Sequence, residues 1–230
     1  MNDTLFQALT LIIPLVFAIV FHEVAHGWMA RLLGDPTAAE ANRLSLNPLR
    51  HVDPIGTVVL PGILALVHAP VFGWAKPVPV DKWRLRNPRS GMMLVAAAGP
   101  ATNLVMAGVG AVLLGLLLRS YGGEQEPAGA IAFITANLLN FLLINIFLAL
   151  FNLLPIPPFD GSHIVEGLLP RPAAEVYHRF RRYGFTLVLL LLVVLPSFIP
   201  GFDLVGRYVQ PPVAWMTHQY LALAAAVAGV

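Results

Sequence analysis

The sequence predicts an all-α polytopic membrane protein, with a three-helix core, a re-entrant and extended segment, and about five or six transmembrane helices in all. Three observations lead there. Apolar residues make up 57% and charged residues 11% of the chain, against roughly 45–50% and about 25% in a water-soluble domain. So little charge cannot coat a surface facing water. Mean hydropathy is +0.75, and the apolar residues gather in long, nearly uncharged runs of the kind hydrocarbon requires.

Taken in order, runs of about 20 apolar residues place core helices at 5–32, 91–118 and 130–153, and accessory helices at 184–201 and 211–229. The run 55–70 has only 16 residues and carries Pro61-Gly62 at its centre. At about 1.5 Å per residue it falls short of a hydrocarbon core roughly 30 Å thick, so it is read as re-entrant. In the following segment, 71–80, Pro77 and Pro79 lack N–H groups and favour an extended backbone. The first apolar run has no basic leader, is too long for a signal sequence and carries ionisable residues late in its length. It is expected to be retained. With no internal repeat, linker or appended soluble domain, residues 1–230 read as a single membrane-embedded domain.

Lys and Arg collect in cytoplasmic loops. If 55–70 does not cross, loops 31–54, 71–90 and 154–183 share one side and hold every basic residue except Arg119 and Arg207. If it crosses, that asymmetry breaks. The amino terminus is therefore expected outside, with the functional site toward the cytoplasmic side of the cell membrane.

Composition also excludes function classes. Without cysteine there can be no disulfide, thiolate metal ligand or cysteine nucleophile. Any metal must be held by His, Asp or Glu. A net charge of +2 is ordinary for basic loops and gives no reason to expect a nucleic-acid partner. Oligomeric state is not legible in the sequence.

Near the end of the first helix stands His22-Glu23-Val24-Ala25-His26, the pattern H-E-x-x-H. Spacing i, i+4 puts both imidazoles on one helix face, able to hold one zinc ion, with Glu23 beside them to take a proton from a bound water. Burying three ionisable groups in an apolar helix is costly. The plain alternative is an interfacial histidine pair bonded to neighbouring helices. A catalytic zinc needs a third protein ligand, and Asp160 is the candidate. It is the one carboxylate between Glu126 and Glu166, lies where prolines 155, 157 and 158 unwind the chain, and is carried to the depth of His22 and His26 because the first and the 130–153 helices run in the same direction. Alone, Asp160-Gly161 would read as a surface turn.

These residues resemble the site-2 protease family of intramembrane zinc metalloproteases. The resemblance lies in Phe21 through Gly27, in Ala98-Gly99-Pro100-Ala101-Thr102-Asn103, and in Asn152 through Asp160-Gly161. Phe72-Gly73-Trp74-Ala75-Lys76-Pro77-Val78-Pro79-Val80 is similar to the compact branch without regulatory domains. Phe159 departs from the leucine usual before the aspartate. The resemblance implies zinc ligands His22, His26 and Asp160, Glu23 as base, and Asn152 near the catalytic water and substrate, although Asn152 could instead cap its helix. Asn103 is a candidate substrate contact or a lock between helices.

The implied activity is a zinc endopeptidase that cuts membrane-anchored proteins within or beside their transmembrane helices, in regulated intramembrane proteolysis. A helical substrate must be unwound before attack, and the 71–80 segment could hold it as an added strand. Val78 is placed on the pairing edge with the N–H groups of Lys76 and Val80. Trp74, like Trp28 and Trp83, marks interfacial depth and is also a candidate substrate contact. His51 and His163 read as loop and solvated histidines. A membrane zinc transporter or metal sensor is the alternative, but a transit site has no special need of Glu23 between the histidines.

Overall fold

The computed structural model describes residues 3–59, 63, 75–121, 128–199 and 201–230. The main helices are α1 (Asp3–Leu32), α2 (Pro88–Tyr121), α3 (Gly129–Asn152), α4 (Asp160–Leu168), α5 (Arg171–Phe180), α6 (184–198, with one wider turn at Leu190–Val194) and α7 (Gln210–Ala228). No strand occurs among the described residues. The all-α expectation is met, and α1, α2 and α3 are long and apolar enough to cross a membrane. Large apolar side chains such as Leu11, Ile12, Val105 and Leu116 lie on their outer surfaces, as suits helices solvated by lipid.

The 154–183 loop expected from its prolines is instead mostly helical. Pro155, Pro157 and Pro158 confine the irregular chain to a short turn, and α4 and α5 form on either side of Pro170. Most of the 55–70 run lies outside the described residues, so its crossing does too; its start, Pro54–Val59, is helical.

The chain divides into two compact units. One comprises Met1–Ala18, Pro100–Asn152 and Val205–Val230. Its core is built largely from small residues, Ala107 and Ala111 of α2 and Ala224 of α7, packed with Leu114, Leu142 and Ile146. Small side chains let helix backbones approach closely where lipid offers no hydrophobic drive to association. Polar locks add register. Pro14 cannot donate to the Thr10 carbonyl one turn back, and the Asn140 amide of α3 supplies the bond at 2.8 Å. Asn103 donates to the Ala18 carbonyl at 3.2 Å and to Asn145 Oδ1 at 2.7 Å, tying α1, α2 and α3 together.

The other unit comprises Ile19–Gly99 and Leu153–Leu204. Ala30 of α1, Leu85 and Val95 of α2 form its small apolar core. Residues 75–80 are not helical, as their prolines require, and they are pinned along one edge. Lys76 N–H donates to the His51 carbonyl at 2.9 Å, and the Lys76 carbonyl accepts from Arg43 Nη2 at 2.6 Å. Just beyond, Asp81 N–H donates to Oδ2 of the wholly buried Asp35 at 2.7 Å.

Candidate active site

The stretch from Val20 to His26 contains neither glycine nor proline, so α1 runs through it unbroken. One turn separates His22 and His26, and their Nε2 atoms stand 3.0 Å apart. At the other wall, Asp160 opens α4. A Cβ on Gly161 would stand 2.2 Å from the Leu153 carbonyl oxygen, so only glycine lets α4 start this tightly against the preceding turn. Asp160 Oδ2 thereby reaches His22 Nε2 at 3.1 Å and His26 Nε2 at 3.4 Å.

Those three edges are the dimensions of a metal site. An ion with tetrahedral bonds of about 2.0–2.1 Å holds its ligand atoms about 3.3 Å apart. The donors are also in the right state. His26 Nδ1–H donates to the Val95 carbonyl at 2.7 Å, which fixes the tautomer and leaves an Nε2 lone pair facing inward. Asp160 brings its carboxylate to the same point. Its Oδ2 is buried and receives no hydrogen bond among the described residues. Converging lone pairs of this kind call for a cation between them. His22, His26 and Asp160 are also the three residues whose ligand atoms cluster closely enough to hold a metal ion.

Space for the imidazoles comes from Gly99 of α2. A Cβ there would lie 2.5 Å from His26 Cε1 and Nε2 and 2.6 Å from His22 Cε1. Glu23 points elsewhere on α1, and its Oε2 accepts the Val78 N–H at 2.9 Å. Val78 is itself buried, and its Cγ1 packs over Gly27.

The chain is similar in sequence to known peptidases. The family model for Peptidase family M50 matches residues 121–195. Three relatives share the name Putative zinc metalloprotease: YwhC of Bacillus subtilis (40% identical, 80% of each chain), Rip2 of Mycobacterium tuberculosis (30% identical over 82% of this chain and 71% of the relative), and MJ0611 of Methanocaldococcus jannaschii (32% identical over 70% and 73%). The chain belongs to Peptidase family M50. No solved structure matches it. Membership of M50, with its long apolar helices, makes the chain a membrane peptidase.

For this M50 member the structure brings His22, Glu23, His26, Asp160 and Val78 into one unit. Other expected site residues are placed differently. Asn103 is wholly buried, and its amide N–H groups donate to Ala18 and Asn145, which is the lock between helices. Asn152 closes α3 and donates to the Leu148 carbonyl at 2.9 Å. Trp74 lies outside the described residues. The N–H groups of Lys76 and Val78, expected to be free for a substrate strand, are used internally, by the His51 carbonyl and by Glu23 of α1. His51, expected as an ordinary loop histidine, lies in a turn, but it is buried there, with Nε2 bonded to the Ser45 carbonyl at 2.8 Å. His163 is not solvated either, since its Nε2 accepts from Arg181. Sequence reasoning missed Gly99 and the Val95 carbonyl. Gly99-Pro100 inside an apolar helix was the available signal for the first; nothing in the sequence marks a backbone carbonyl.

Proposed function

We propose that this protein is an intramembrane zinc endopeptidase that cuts membrane-anchored proteins within or beside their transmembrane helices, as in regulated intramembrane proteolysis. The observation that carries the reading is the triangle of His22 Nε2, His26 Nε2 and Asp160 Oδ2, with edges of 3.0, 3.1 and 3.4 Å. Those residues are the zinc ligands, and the names of the relatives support zinc as the ion. When bound, zinc supplies Lewis acidity and a water acidic enough to ionise near neutral pH.

The remaining work falls to the chain's own groups. Val78 N–H holds Glu23 Oε2, leaving Oε1 to take the proton of the attacking water and return it to the leaving amine. Gly99 keeps the imidazoles seated. Asn152, at the end of α3, is the candidate amide for the substrate carbonyl. The substrate must expose its backbone, and the 75–80 segment offers it the carbonyls of Pro77 and Pro79. These lie on the edge opposite the one used by Lys76 and Val78, and neither Pro77 nor Pro79 has an N–H. An unwound substrate strand would donate to them. Trp74 is placed in the sequence to flank that strand at the interface. The two compact units act as one membrane domain, with α1 and α2 each contributing to both.

The protein is placed in the cell membrane with its amino terminus outside and its site toward the cytoplasm. Reporters fused after Arg50 and after Arg86 should both read cytoplasm, and one after Gly123 outside; opposite sides for the first two would mean that 55–70 spans. For the activity, the test is a comparison of cells carrying wild type and Glu23→Gln, scored for membrane-anchored proteins that accumulate uncut. An identical set of membrane proteins in both would reject the proposal.

A further inference from the structure

Beside the candidate active site lies a second feature that the peptidase reaction does not use. A cavity of about 470 Å³ is walled by Lys82, Trp83, Arg89, Met92, Glu166 and Arg181. A neighbouring groove of about 410 Å³ shares Lys82, Arg89 and Glu166 with it and adds Arg171, Glu175 and Arg179. Five fixed cations thus face two carboxylates. Glu166 is occupied by Arg181 and His178, each at 3.1 Å. Among the described residues no carboxylate pairs with Lys82, Arg89, Arg171 or Arg179. Arg89 spends its Nη2 protons on the backbone carbonyls of Leu169 and Glu166, so it is held in place with its charge uncompensated.

The helix that lines the groove is two-faced. On α5, Ala173, Val176, Tyr177 and Phe180 follow the i, i+3, i+4, i+7 spacing of one face, and Arg171, Glu175, His178 and Arg179 form the other. Much of the apolar face is uncovered: Val176 is 53% and Phe180 62% exposed, while Tyr177 is half-buried and donates its OH to the Pro155 carbonyl. An uncovered apolar face is out of place in water, and a cluster of like cations draws anions to itself. One environment suits both, the boundary of a bilayer, where an amphipathic helix buries its apolar side among acyl chains and offers its basic side to anionic headgroups. Position agrees. Arg89 sits in the first turn of the span candidate α2, and Arg181 stands three residues before the apolar α6.

We infer that the groove bounded by Lys82, Arg89, Arg171, Arg179 and Arg181 is a binding site for the phosphate headgroup of an anionic phospholipid, with the apolar face of α5 lying in the adjoining interface. An acidic peptide would satisfy the same charges. The lipid is favoured because segments flanking transmembrane helices on the cytoplasmic side are themselves rich in Lys and Arg and would be repelled here.

The test uses the full-length protein in uncharged detergent, titrated with dihexanoyl phosphatidylglycerol, dihexanoyl phosphatidylcholine, inorganic phosphate or hexaglutamate, with binding read from the shift in Tm. The expected result is saturable stabilisation by phosphatidylglycerol, weakened about tenfold or more in Lys82→Glu/Arg179→Glu, retained in Lys82→Arg/Arg179→Lys, and not reproduced by phosphatidylcholine. Equal responses to the two lipids, or an unchanged response in the charge-reversed variant, would overturn it. So would inorganic phosphate or hexaglutamate binding as tightly as phosphatidylglycerol, since each would name a different occupant. Because the readout is binding, its failure would leave the peptidase reading untouched.

Discussion

Val78 donates its backbone N–H to Glu23 Oε2 at 2.9 Å, so a residue 55 positions along the chain fixes the carboxylate that stands between the two histidines. The bond comes from the main chain, and a substitution that keeps the N–H should be tolerated where one that removes it is not. Val78→Pro is expected to lower kcat by about 10- to 100-fold, the loss typical of supporting hydrogen bonds around a metal site, with metal content unchanged. Val78→Ala should stay within a few-fold of wild type. Equal rates for the two variants would show that the bond does not orient Glu23.

Glu23→Gln keeps the shape of the side chain and removes its ability to take a proton. Cleavage should fall by about 10²- to 10⁴-fold, with bound zinc still near one per chain by atomic emission. Loss of the metal in this variant would reassign Glu23 as a ligand.

Asp160→Ala and His26→Ala each remove one of three protein ligands, so zinc and activity should fall together. Dialysis against a chelator should reproduce the loss in wild type, and added zinc should reverse it. Full zinc in Asp160→Ala would place the third ligand elsewhere.

Gly99→Ala tests the seat of the imidazoles. The new methyl would meet both rings at 2.5 to 2.6 Å, and overpacking of this kind costs about 1–3 kcal/mol. Weaker zinc affinity is expected with helix content unchanged by circular dichroism. A variant with normal zinc affinity would mean that α2 moves aside freely.

His163 gives a pH prediction. Burial, and then the Arg181 charge, lower its pKa from the usual 6.5 to about 4. The unfolded chain therefore binds a proton that the folded chain resists between those values. Above pH 6.5 both states are neutral and nothing is lost; as pH falls from 6.5 toward 4, stability should decline. Limited proteolysis of α4 and α5 across that range should show the decline in wild type and a shallower one in His163→Gln.

Much of the fold was legible because hydrocarbon demands long uncharged runs, and the observed limits of α1, α2 and α3 fall within three residues of those expected. His22, Glu23 and His26 were legible because i, i+4 spacing is local. Asp160 needed a distant segment brought back, and it was found because carboxylates are so scarce here. The errors share a cause. Whether Asn103 faces substrate or another helix depends on the rotation of α2 about its axis, and low amphipathicity in a lipid-solvated helix leaves that rotation unwritten. Likewise, the alternation of Pro77 and Pro79 told which residues share an edge, but which edge faces α1 is settled by Glu23, Arg43 and His51.

That alternation has a further result. With the N–H groups of Lys76 and Val78 turned inward and prolines at 77 and 79, the outward edge from Pro77 to Pro79 can accept hydrogen bonds but not give them. Two such edges brought together have no donor between them. Exposed extended edges ordinarily invite pairing between copies of the same chain; Pro77 and Pro79 give two copies of this stretch no donor for each other, whereas a peptide that keeps its amide hydrogens has them. For the proposed peptidase, that one-sidedness would tell an unwound substrate from the same stretch of a second copy without a single charged group.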